Sequence, residues 1–132
     1  MIYLAQPYTH SDPDVVRQRF IWGEHYTAEL LQNKQWVYSP IVHCHKLAKR
    51  YNLPKDFAYW QDYNLHMLGN SHVMYALLLS GWKHSKGLFG EMKHAKALSI
   101  PFHYVEVREG KFINKAVDIR NIFTDFYPDA RS

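Results

Sequence analysis

The chain has 132 residues, 47% of them hydrophobic and 16% aromatic, which suits one domain with a real core and excludes disorder as the main state. Its formal charge of +4, beside nine histidines, suits an anionic partner but is too small a surplus to imply nucleic-acid binding. A single cysteine, Cys44, excludes an internal disulfide and fits a reducing cytoplasm, and no apolar run approaches the ~20 residues of a membrane span.

"IYLA" opens the chain as a short apolar strand, halted by the loop "QPYTHSDPD". The N-terminus "MIYLAQPY" lacks the basic-then-apolar order of a signal peptide. Ser11 or Asp12 caps a predicted helix whose first turn accepts Pro13 and Asp14, and Val16, Phe20, Gly23, Thr27 and Leu30 carry it to about Asn33. "WVYS" reads as a second strand closed by Pro40, followed by a short helix over 43–51 that "NLP" ends. Residues 56–69 show a helical pattern through Phe57, Trp60, Tyr63 and Met67. "HVMYALLL" is apolar almost throughout, as a strand buried on both faces should be. The loop "SGWKHS" leads into a helix over 87–99 with Leu88, Met92 and Ala95 inward, and "PFHYVEV" reads as a fourth strand. A last helix is expected from about Asn114 to Phe126.

Strands alternating with helices imply a parallel sheet of four to five strands with right-handed crossovers, an α/β three-layer sandwich over 1–132 as one domain. Ligands in such sheets bind beyond the carboxyl ends of the strands, where "QPYTH" and "SGWKHS" both lie.

"SKGLFGE", Ser85 to Glu91, then raises a choice. It is either a capped surface helix or a phosphate cradle with a carboxylate behind it. Ser85 at the N-cap would leave the backbone N–H groups of Lys86 to Leu88 facing an anion. Gly87 removes a side chain where an oxygen would approach, and Lys83 or Lys86 would add charge. Glu91 is either a boundary carboxylate held by a Tyr or Lys, or a nucleophile for an oxocarbenium-like centre. Trp82, just before Ser85, is placed to stack on a ring ligand, whereas Trp22, Trp36 and Trp60 read as core or interface. "VHCHK" sets His43 and His45 two apart, which on a helix points the rings away from each other with no carboxylate beside them. No metal site and no cofactor are therefore expected, and no base for a Cys44 nucleophile is evident.

Four blocks, "IYLAQPYTH", "SPIVHCHKLA", Trp60, and "GWKHSKGLFGEMKHAKAL" followed by "IPFHYVE", together resemble a bacterial and phage branch of the nucleoside 2-deoxyribosyltransferase-like superfamily. The resemblance runs from Ile2 to about Glu106. It implies a flavodoxin-like fold and cleavage of an N-glycosidic bond by a glutamate, matched by Glu91. It also implies a tyrosine holding that glutamate or the sugar, matched by Tyr3. Serine rather than aspartate at the position of Ser85 goes with nucleoside monophosphates over free nucleosides. Gln6, Pro7 and Tyr8, in the loop after the first strand, join the expected binding set. Where relatives carry a second acidic group this chain has Asn64, which can hydrogen-bond but cannot serve as a general acid. The expected activity is hydrolysis of (deoxy)nucleoside 5′-monophosphates in a homodimer or larger homo-oligomer. Deoxyribose transfer, or non-catalytic binding of a nucleotide or ADP-ribose-like ligand, are the alternatives.

Overall fold

The computed structural model describes residues 1–54 and 56–125. Their order is β1 (Ile2–Ala5), α1 (Pro13–Gln32), β2 (Val37–Tyr38), α2 (Pro40–Arg50), α3 (Phe57–Gly69), β3 (Val73–Leu77), α4 (Lys86–Ala97), β4 (Phe102–Arg108), β5 (Lys111–Val117) and α5 (Ile122–Asp125). Short 3-10 turns occupy Trp82–His84 and Ile119–Asn121.

The five strands form one sheet in the order β2-β1-β3-β4-β5, parallel except for β5, which runs antiparallel to β4. This is the doubly wound, flavodoxin-like arrangement, with its switch point between β1 and β3. Alternation along β1 and β3 builds two cores. Ile2, Leu4, Val73, Tyr75 and Leu77 face Tyr26 and Leu30 of α1, while Tyr3, Ala5, Met74 and Ala76 face Leu68 of α3 and Leu88, Met92 and Ala95 of α4. Both faces of the central strands are thus covered, which is why "HVMYALLL" has no polar side.

Caps fix where the helices start. Asp12 accepts the N–H of Asp14 at the head of α1, with Pro13 in the first turn. Ser39 accepts the N–H of Val42 at 3.1 Å, so α2 begins at Pro40, three residues before the expected start at His43. Pro40 does not close a strand; it supplies the first helical turn, where a missing N–H costs nothing.

Two further expectations fail. The helix expected over 114–126 is instead strand β5 for its first residues and a short 3-10 and helical turn for the rest, with Phe126 outside the described residues. The cause is a two-residue hairpin: Glu109 (φ 51°) and Gly110 (φ 76°) both take the left-handed region, which turns the chain back onto β4. Phe112 then packs on Trp22 and Tyr26, and Asn114 donates to the Tyr26 hydroxyl at 3.2 Å. In α3 the inward phase also differs. Tyr63 is 44% exposed, while Asn64 and Leu68 are the buried positions, because the helix turns Asn64 toward the carboxyl edge of the sheet.

Candidate active site

Beyond Ala5 and Leu77 the two central strands release loops that run side by side, and buried side chains fasten them. Arg19 of α1 is 6% exposed and donates to the carbonyls of Thr9 (3.0 Å) and Tyr8 (3.4 Å) in one loop and of Ser80 (2.9 Å) in the other. Burial pushes its guanidinium downward from its ordinary pKa, since three carbonyl dipoles replace water incompletely. Gly81 is required beside it: its φ of 82° favours glycine, and a Cβ there would stand 2.8 Å from Arg19 Nη2. Gln6 is also buried, its Nε2 donating to the Arg19 carbonyl at 2.8 Å. A Cβ on Gly23 would lie 2.2 Å from Gln6 Oε1, so the amide can occupy this place only because α1 carries a glycine there.

Between these loops and helices α2, α3 and α4 lies a cavity of about 380 Å³. Its apolar wall comes from Pro40, Ile41, Ala48, Ala58 and Trp60. Its polar groups include Gln6, Tyr8, His45, Asn64, Ser85 and Glu91, with Asp56 and Lys86 also at its wall. An apolar slot with few converging polar groups is the usual form of a small-ligand site.

Glu91 is the buried acid lining this space. It stands in α4 one turn past Leu88, is 6% exposed, and accepts a hydrogen bond from the Tyr3 hydroxyl of β1. Burial pushes its carboxyl up from about 4.5 to about 8, and the Tyr3 hydrogen bond pulls the other way. Tyr3 in turn is held well above its ordinary pKa by burial and by the neighbouring carboxyl, so it stays a neutral donor. Asn64 is buried across the cavity wall, its Oδ1 accepting from Tyr38 at 3.4 Å.

Ser85 caps α4, and its Oγ accepts the Leu88 N–H at 3.2 Å. The Leu88 N–H, expected to face an anion, is therefore used inside the cap. The Ser85 O–H, with Lys86 and Gly87 of the first turn, also lines the cavity.

The fold brings Gln6, Tyr8, Asn64, Ser85, Gly87 and Glu91 to one cavity, with Tyr3 directly beneath Glu91. Two expected residues stand apart. Pro7 is fully buried beneath the loop, and Trp82 packs against the core on the α4 side with Lys83 over its ring; neither is among the described residues lining the cavity. Its ring is turned inward by the 3-10 turn over Trp82–His84, and Trp60, read as core or interface, is the indole at the cavity instead. The Trp60 Nε1 donates to the Pro54 carbonyl at 2.7 Å, which fixes the ring. Reasoning from sequence also missed Arg19, whose role depends on two loops far apart in the chain. The two histidines of "VHCHK" part as the helical spacing requires. His43 stacks near Tyr63, and His45 stacks on Phe20 at 4.1 Å with Tyr8 edge-on. Cys44 lines the cavity with its thiol pushed up by burial, which disfavours the thiolate. Among the described residues, no group of three or more His, Cys, Asp or Glu side chains is disposed to hold a metal ion, and no helix is long and apolar enough to cross a membrane.

A family model described as a domain of unknown function (DUF1937) matches residues 1–106, so the chain belongs to that family. The match spans β1 to most of β4 and includes every residue of the cavity, while β5 lies beyond it. No curated protein matches the chain.

Proposed function

We propose that the protein hydrolyses the N-glycosidic bond of a (deoxy)nucleoside 5′-monophosphate, with Glu91 as nucleophile. The observation that carries this reading is one buried carboxyl, held by a tyrosine, six residues behind a serine-capped helix start that opens on the same cavity. The spacing suits the ligand. A phosphate at Ser85, Lys86 and Gly87 meets an O–H donor, a helix N-terminus and a cation. A sugar between that end and Glu91 brings its anomeric carbon toward the carboxylate, and a flat base fills the slot bounded by Ile41 and Trp60. Tyr3 supports the ionised form of Glu91 against the cost of burial, and Asn64 is left to hydrogen-bond sugar or base. The likeness to nucleoside 2-deoxyribosyltransferase-like proteins, a cytoplasmic setting and assembly into a homo-oligomer belong to the same proposal.

The test is free-base release from a panel of ribo- and deoxyribonucleosides and their 5′-monophosphates, with wild type and Glu91→Gln. Base released from monophosphates without an acceptor base, and lost in the variant, is the expected result. Release only when an acceptor is present would make the protein a transferase. Asn64, standing where an acid would help the base to leave, favours a second reading, a nucleotide binder without turnover. Binding of a monophosphate with no base released from any member of the panel would establish that reading instead.

A further inference from the structure

A purine or pyrimidine leaves C1′ poorly as an anion, so an N-glycosidase gains when a side chain protonates the base as the bond breaks, an effect worth roughly 10²–10⁴-fold. The side chain to which the resemblance assigns this task is an amide, Asn64, which lines the cavity but cannot donate a proton as an acid. We infer that His45 is the proton donor to the departing base and, in the second half of the reaction, the base that activates water. The assignment rests on the hydrolase reading above.

Three observations lead to His45. It lines the same cavity as Glu91, and it projects from α2, the helix that also gives the apolar wall its Pro40, Ile41 and Ala48. Its ring is held on two sides, stacked on Phe20 at 4.1 Å and 20° and met edge-on by Tyr8. Its Nδ1 is paired with the Tyr8 hydroxyl at 2.5 Å, and Tyr8 is kept neutral because burial raises its pKa. The pair holds Nδ1 at the Tyr8 hydroxyl whichever of the two donates, so a proton exchanged with the base passes through Nε2 and needs no rotation of the imidazole. Asp56, the other acid lining the cavity, is exposed and makes no side-chain hydrogen bond to the helix it caps. An exposed carboxyl that leaves its helix uncapped is the poorer donor beside a stacked ring.

The steps balance. The C1′–N bond breaks with its electron pair passing to the base, which takes the Nε2 proton of the His45 imidazolium. The Glu91 carboxylate oxygen bonds C1′ as an ester. Water then attacks C1′, the ester pair returns to Glu91, and the water's proton passes to the neutral His45. Nucleotide and water have become base and sugar phosphate, and both residues are restored.

The experiment compares two substrates. One is the purine 5′-monophosphate that wild type cleaves fastest, and the other is its N7-methylated form, whose cationic base leaves without a proton. The quantity read is kcat/KM for base release, which reports the first irreversible step. In His45→Asn the neutral purine should lose roughly 100-fold while the methylated form stays within about 3-fold of wild type. Tyr8→Phe should shift the ratio the same way by a smaller factor. The ratio of the two rates cancels the amount of folded enzyme, so a variant that folds poorly cannot imitate the result. Equal loss on both substrates would reduce His45 to packing, and no loss on either would pass the proton to another group such as Asp56; each overturns the assignment while leaving the hydrolase reading intact. Glu91→Gln should lose both substrates. If wild type releases neither base, the hydrolase reading falls and the role of His45 falls with it.

Discussion

Replacing Glu91 by Gln tests the electrostatics of the site without any ligand. The amide keeps the shape and still accepts the Tyr3 O–H, but it cannot ionise. In the wild type the carboxyl is pushed by burial from about 4.5 to about 8, so folding favours its protonated form. A group shifted upward in this way stabilises fully below its unfolded pKa and loses that contribution as pH climbs toward the folded value. Between pH 5.5 and 7.5 the wild type should therefore lose roughly 2–3 kcal/mol relative to Glu91→Gln, from ~1.4 kcal/mol per pH unit with the early part of the titration allowed for. Above about pH 8 the difference should level off, because both states are then ionised. Urea unfolding of both proteins at pH 5.5, 6.5, 7.5 and 8.5 gives the four differences directly. A stability gap between the two proteins that stays constant with pH would show that Glu91 is ionised in the empty fold, and the account of its burial would be wrong.

Three other outcomes are expected. Ser85→Asp should keep the helix cap but set a carboxylate against the ligand's phosphate, weakening monophosphate over nucleoside binding by roughly 1 kcal/mol or more in calorimetry; an unchanged preference would remove Ser85 from phosphate recognition. Gly23→Ala should destabilise by about 1–3 kcal/mol in urea unfolding, although alanine is the better helix former by ~1 kcal/mol, because its Cβ meets Gln6 Oε1; a more stable variant would contradict the packing described. Asn64→Asp should raise turnover by restoring an acid at the cavity wall, read as the rate of base release, and a fall in rate would show that the site does not tolerate the charge.

What was legible in the chain followed from local chemistry. "HVMYALLL" could only be a strand covered on both faces, and Ser85 ahead of Gly87 marked the start of α4, so the carboxyl edge and Glu91 on it followed. The terminal hairpin was not legible because Glu109 stands where this two-residue turn favours Asn, Asp or Gly, and "KFINKAV" carries no clean alternation on a strand facing only one neighbour. Trp82 misled because its place in sequence is right while the 3-10 turn rotates its ring into the core. Arg19 carried no signal at all. Its value lies in joining Tyr8 and Thr9 to Ser80, a contact across 61 residues of sequence that no local pattern encodes.

The central claim is that Glu91 takes the sugar from the base. Wild-type protein mixed in excess with a purine nucleoside 5′-monophosphate, quenched in acid at millisecond intervals and mapped by peptide mass, reads that event itself. The account predicts a peptide containing Glu91 that transiently gains the mass of the sugar phosphate less water, appearing with the free base and decaying as free sugar phosphate forms. Base release while that peptide keeps its unmodified mass at every time would contradict it.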